Sequence, residues 1–111
     1  MLAPMVRSPP TPSSAARVVL EGKDSSHVIT VERGQRKSIG RRADAADIAL
    51  PETMLSRRHF VIDFTGDHAF IEDASSASGT YLDHARITRE PLLGGAIVEA
   101  GRLAFTVRYE G

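Results

Sequence analysis

Apolar and polar residues alternate at period two along most of this chain, in short runs. Between residues 102 and 109, Leu103, Phe105, Val107 and Tyr109 fall on one side and Arg102, Thr106 and Arg108 on the other. That spacing is the mark of a half-buried β-strand, with the first set facing the core. Phe60, Ile62 and Phe64 alternate with Val61 and Asp63, and Thr65-Gly66-Asp67 then supplies turn residues. Residues 68–72 are expected to return as the partner strand of a hairpin. Further short strands are predicted at 18–20, 28–31, 48–50 and 97–99. Helical periodicity is almost absent, so the chain reads as all-β. Strands this short and closely spaced favour two packed sheets, an antiparallel β-sandwich, over a single open sheet.

Residues 1–16, MLAPMVRSPPTPSSAA, break the pattern by concentrating proline among small polar residues. Such a stretch buries too little apolar surface to offset its ordering entropy. It is expected to be a disordered tail or linker, leaving one domain over residues 17–111. Thr11, set in Pro-Pro-Thr-Pro-Ser-Ser, is a candidate phosphorylation site on that tail. A chain of 111 residues has no room for a second catalytic lobe.

Fourteen Lys plus Arg balance fourteen Asp plus Glu, so no bulk field draws the chain to nucleic acid or an anionic membrane. Any anion site must be local. There is no cysteine, which removes disulfides, thiolate metal ligands and cysteine nucleophiles, and fits a reducing compartment. His27, His68 and His84 are scattered without metal-ligand spacing, so neither metal nor cofactor is expected. No apolar run approaches the roughly 20 residues that span a bilayer, and the first ten residues lack the continuous apolar core of a secretory leader. A cytoplasmic location is expected.

In a sandwich the loops gather at the ends of rigid sheets, where binding residues usually sit. Three inter-strand segments stand out: Ile39-Gly40-Arg41-Arg42, Leu55-Ser56-Arg57-Arg58-His59, and the run from Asp73 through Ser75, Ser76, Ala77 and Ser78 to Gly79-Thr80-Tyr81. Two of them bring four arginines into short loops of a neutral protein, a local positive site. A guanidinium is a planar fork of donors that matches phosphate oxygens in bidentate fashion. Ser56 close to His59 is not a catalytic pair on this reading, because no strand-turn-helix elbow of the Gly-x-Ser-x-Gly type is present. No catalytic residue is assigned.

Taken in order, Ile39-Gly40-Arg41, then Ser56-Arg57-Arg58-His59 after a spacer containing Asp47-Ile48-Ala49-Leu50, then Ser78-Gly79-Thr80-Tyr81-Leu82 resemble the markers of the forkhead-associated (FHA) family, over about residues 18–109. The resemblance implies a two-sheet antiparallel sandwich of about eleven short strands with binding loops at one end. It also implies a non-enzymatic module that binds a phosphothreonine-containing partner in Ser/Thr-kinase signalling. By that likeness Arg41 is the principal phosphate ligand, Ser56 donates its hydroxyl to the same phosphate, and Arg57 contacts phosphate or peptide backbone. Arg58 is expected to point elsewhere. His59 would brace the loop carrying Ser56, while Gly40, Gly79 and Thr80 place the ligands.

Four positions depart from the family pattern. Ser78 stands where an asparagine amide usually clamps the peptide backbone, and Ala77 where a Ser or Thr hydroxyl helps hold the phosphate. Ser76 or Ser75 could supply that hydroxyl through a shifted loop, so Ser76 and Ser78 complete the candidate phosphopeptide site. Asp83-His84 replaces an Asn-Gly turn, and because histidine is poorly suited to positive φ a different turn type is expected. Gly95-Ala96 replaces a Gly-Asp pair. A rival reading is a degenerate domain that keeps the fold and acts as a phospho-independent scaffold or oligomerisation module. A further expectation is that phosphorylated Thr11 folds back onto Arg41 of its own chain.

Overall fold

The computed structural model describes residues 11–111; the first ten residues of the expected tail lie outside the described residues. Eleven strands follow in chain order: β1 (Arg17–Gly22), β2 (Val28–Glu32), β3 (Arg36–Gly40), β4 (Ile48–Ala49), β5 (Phe60–Asp63), β6 (Phe70–Asp73), β7 (Thr80–Leu82), β8 (Ala85–Arg86), β9 (Arg89–Pro91), β10 (Ile97–Ala100) and β11 (Leu103–Glu110). They form a six-stranded sheet, β2-β1-β11-β10-β7-β8, and a five-stranded sheet, β4-β3-β5-β6-β9. Among the described residues there is no helix long and apolar enough to cross a membrane.

The alternation builds the core by register. Val18 on β1 lies between Val31 of β2 and Tyr109 of β11, and Leu20 between Ile29 and Val107, so two apolar rows cross the first sheet on its inner face. Ile39 opposite Phe60 and Ile62 opposite Ile71 supply the facing rows of the second. All of these side chains are buried. Arg102, Thr106 and Arg108 face solvent, as their spacing predicts. On the outer face of the first sheet charges pair with one another: Arg17 with Glu32 and Glu110, and Arg108 with Glu110 and Glu21.

Several details differ from the expectation. The sandwich is antiparallel except for β3 and β4, which run parallel through Ile39 opposite Ile48 and Gly40 opposite Ala49. The second strand of the central hairpin begins at Phe70 rather than residue 68, because Phe64 and Ala69 turn into the core and lengthen the connection. The core also takes in a residue before 17: Ala15 is buried in it, and Arg33 donates to the Ala15 carbonyl (2.8 Å) and to that of Pro12. Asp83 and His84 both take positive φ, 48° and 70°, the pattern of a two-residue hairpin turn with mirror-image geometry.

Strand direction sorts the loops into two ends. Residues 41–47, 50–59 and 74–79 leave or enter β3, β5 and β6 at one end, where Ile39 pairs Phe60 and Phe60 pairs Asp73. The turns at residues 33–35 and 64–69 lie at the other, joined by a bond from Arg33 to the Gly66 carbonyl (3.0 Å). The same Arg33 holds residues 11–16, so Thr11 sits at the end of the sandwich remote from Arg41.

Candidate phosphate-binding groove

The site is built outward from the end of β3. The amides of Arg41 and Arg42 donate to the carbonyls of Ser56 (3.0 Å) and Arg57 (3.3 Å), continuing the β3 ladder onto the β4–β5 loop. This approach is close enough to require glycine at position 40, where a Cβ would lie 2.1 Å from the Arg57 carbonyl oxygen. Arg41 donates Nε–H to the Leu55 carbonyl (3.1 Å), which aims the guanidinium and leaves the paired Nη groups to the groove.

His59 ties that loop to the next. Its ring is buried; Nδ1 accepts the Ser56 amide (3.0 Å), so the proton must sit on Nε2, which donates to the Gly79 carbonyl (2.8 Å). The Ser56 hydroxyl oxygen accepts the Ala77 amide (2.9 Å). Its own proton is thereby left to donate outward. Neither ring nitrogen of His59 is available to take a proton from that hydroxyl.

The third loop is held by a carboxylate. Asp73 Oδ1 accepts the hydroxyls of Ser76 (2.5 Å) and Thr80 (2.7 Å), Oδ2 accepts the Ser76 amide (3.1 Å), and the Ser76 hydroxyl oxygen accepts the Gly79 amide (3.0 Å). Burial disfavours the charged form of Asp73, but the hydroxyls of Ser76 and Thr80 and the Ser76 amide outweigh it, and the carboxyl stays below its ordinary range. A folded-state pKa below the unfolded one stabilises the fold above the unfolded value, and this is lost as pH falls through the folded value. Melting temperature should therefore fall on acidification below about pH 4. Asp73→Asn should melt lower at pH 7 and show a shallower acid slope; an unchanged slope in thermal melts would contradict the assignment.

These loops enclose an open groove of ≈ 640 Å³ lined by Arg41, Thr53, Met54, Leu55, Ser56, Arg57, Arg58, Ser75, Ala77 and Ser78. Arg41, Ser56, Arg57 and Ser78 thus share one groove, and His59, Gly40, Gly79 and Thr80 stand behind them. Ser76 does not line the groove: it is buried, its hydroxyl donated to Asp73, and Ser75, with φ 58°, takes the outward position instead. Arg58, expected to point elsewhere, is among the residues that line the groove. Arg42 is outside the lining, its fork closed on Asp44 at 3.0 and 2.9 Å. The bracing role of Asp73 was readable in principle, since an Asp followed by serines and a Gly-Thr pair is a loop-capping pattern. Asp47 braces the other side, accepting the Ser38 amide (2.9 Å) and hydroxyl (3.1 Å) and so pinning the β3–β4 loop.

Comparison with known proteins agrees with this architecture. A family model described as the FHA domain matches residues 37–101. The FHA domain-containing protein FhaB of Mycobacterium tuberculosis is 36% identical over 94 residues, covering 82% of this chain and 58% of FhaB. The chain thus spans little more than half the length of that relative. A structure from a study of phosphothreonine-dependent FHA domain interactions superposes with a TM-score of 0.76 at 31% identity, over 86% of this chain and 98% of the other. Mycobacterium tuberculosis EmbR in complex with a low-affinity phosphopeptide gives a TM-score of 0.77 at 30% identity, over 86% of this chain and 25% of EmbR. From the matched residues, the two-sheet topology and the loops gathered at one end, the chain belongs to the FHA domain family.

Proposed function

We propose that this domain is a phosphothreonine-dependent protein-interaction module that recruits a partner phosphorylated by a Ser/Thr kinase. The observation that carries the reading is the Arg41–Ser56–Arg57 face of the groove, with one guanidinium aimed by Leu55 and one hydroxyl whose proton is free to donate. A phosphate monoester carries about −1.5 to −2 charges at neutral pH and three acceptor oxygens, which two guanidiniums and a hydroxyl complement. Arg41 holds the phosphate, Ser56 donates to it, Arg57 contacts the phosphate or the peptide backbone, and Ser78 meets the peptide main chain. The rest of the domain presents these loops.

The groove binds rather than catalyses. With Nδ1 accepting and Nε2 donating, His59 is a brace and not a base, and Ser56 has no activating partner. The absence of cysteine fits a cytoplasmic setting. Recognition in trans is favoured over capture of phosphorylated Thr11 by its own chain, since the turn at residues 11–14 and the Arg33 contacts hold Thr11 at the far end. The scaffold alternative gains nothing from the outer face of the six-stranded sheet, whose charges are paired among themselves.

The test is titration with one peptide in phosphothreonine, phosphoserine and unmodified forms, followed by NMR shifts. Shifts confined to residues 41, 55–58 and 75–79, and seen only with phosphorylated peptide, are expected. Equal responses to all three forms would refute the reading.

A further inference from the structure

Resting on that function, we propose that Arg58 is a specificity-determining residue, and that the groove prefers phosphopeptides carrying a second anionic side chain within two positions of the phosphothreonine. Three arginines, Arg41, Arg57 and Arg58, are among the ten residues that line the groove, and none of the ten is a carboxylate. One phosphate dianion balances two of them. The third is left over.

Elsewhere in these loops the chain neutralises its own arginine. Arg42 closes on Asp44 through both a 3.0 Å and a 2.9 Å bond. Arg58 is treated differently: among the described residues it has neither a hydrogen bond nor an ion pair, and it is exposed. Asp47 feels its charge, but the carboxylate is committed through Oδ2 to the amide and hydroxyl of Ser38.

The position of Arg58 limits how far the second anion can be from the first. Its Cα would lie 2.8 Å from a Cβ at position 40, so its backbone packs directly against the residue preceding Arg41. An extended peptide advances about 3.3 Å per residue. A long arginine side chain rooted beside the phosphate ligand therefore covers the residues flanking the phosphothreonine and not those farther along. Ala77 and Ser78, on the opposite wall, bring no charge, so Arg58 is the group there that distinguishes an acidic neighbour from a neutral one.

Phosphothreonine peptides in an alanine background, with Asp, phosphoserine, Ala or Lys placed in turn at each of the two positions on either side, test this in fluorescence-polarisation titrations. Asp at one or more of these positions should tighten binding about two- to fivefold over Ala, the range of an exposed ion pair. Phosphoserine should tighten it at least as much, and Lys should weaken it. In Arg58→Gln the ratio between Asp and Ala peptides should collapse, and Arg58→Lys should recover part of it. A preference that survives Arg58→Gln, or a variant that weakens Asp, Ala and Lys peptides by one common factor, overturns the proposal. A wild-type domain that binds unmodified peptide equally well removes the underlying reading as well, which is a separate result from the ratio.

Discussion

Arg41→Ala is expected to abolish phosphopeptide binding while leaving the fold in place. Arg41 is exposed, and its side chain touches the rest of the domain through one bond, Nε–H to the Leu55 carbonyl. Removing it should move stability by no more than about 0.5 kcal/mol, as for other surface changes. The loss to the ligand is larger, since a hydrogen bond to a charged group contributes about 1.5–3 kcal/mol and a guanidinium offers two at once. About 3 kcal/mol or more corresponds to a loss above 100-fold. Arg41→Lys keeps the charge but not the fork, and should recover only part of this. Isothermal titration alongside thermal melts separates the two effects. Affinity within about threefold of wild type would show that Arg41 is not the phosphate ligand.

The grip expected from the remaining groups is weaker than three hydroxyl or amide donors would give. Ala77 presents only its backbone, and its amide is already donated to Ser56. Ser76, the side chain that could have replaced the missing hydroxyl, is held in the Asp73 cage. Ser75 and Ser78 are exposed in the groove, where their hydroxyls can meet a peptide. The arginines are consequently expected to carry a larger share of recognition than the serines.

Strands with a clean apolar alternation, such as β11 and β5, were legible from the sequence because burial alone decides their register. β3 was not. Arg36-Lys37-Ser38 has no apolar pattern, and the strand forms because Ser38 is buried against Asp47 while Arg36 bridges Asp63 (3.2 Å) and Glu72 (2.7 Å) across the sheet. The Asp83-His84 turn departs from local preference for a related reason. Histidine disfavours positive φ locally, but the Asp83 carboxylate accepts the Ile97 amide (2.9 Å) and His84 Nδ1 meets Glu99 (2.8 Å), so tertiary contacts hold what local preference resists. At the site, motif order placed Arg41, Ser56 and Arg57 because their backbones follow strand ends. Whether Ser76 or Ser75 faced the groove depended on the loop φ at Ser75 and on which hydroxyl claimed the Asp73 carboxylate, which residue order does not encode.

Gly40→Ala should be the most damaging Gly→Ala substitution in this domain. The new Cβ would lie 2.1 Å from the Arg57 oxygen, 2.7 Å from its carbonyl carbon and 2.8 Å from the Arg58 Cα, all backbone atoms that cannot rotate aside. The β4–β5 loop must therefore move away from β3. That movement breaks the bonds from the Arg41 and Arg42 amides to Ser56 and Arg57, and strains the Leu50 amide bond to the Gly40 carbonyl. Two lost backbone bonds plus overpacking amount to about 2–4 kcal/mol, a fall of roughly 10 °C or more in melting temperature for a domain of this size. Binding should suffer beyond the loss of folded protein, because the displaced loop carries Ser56 and Arg57 away from Arg41. Gly66→Ala is the matched control: a Cβ there meets nothing within 4 Å, so its melting temperature should be almost unchanged. If Gly40→Ala melts within about 3 °C of wild type and keeps its peptide affinity, the close backbone approach at the end of β3 is not what holds the phosphate ligands together.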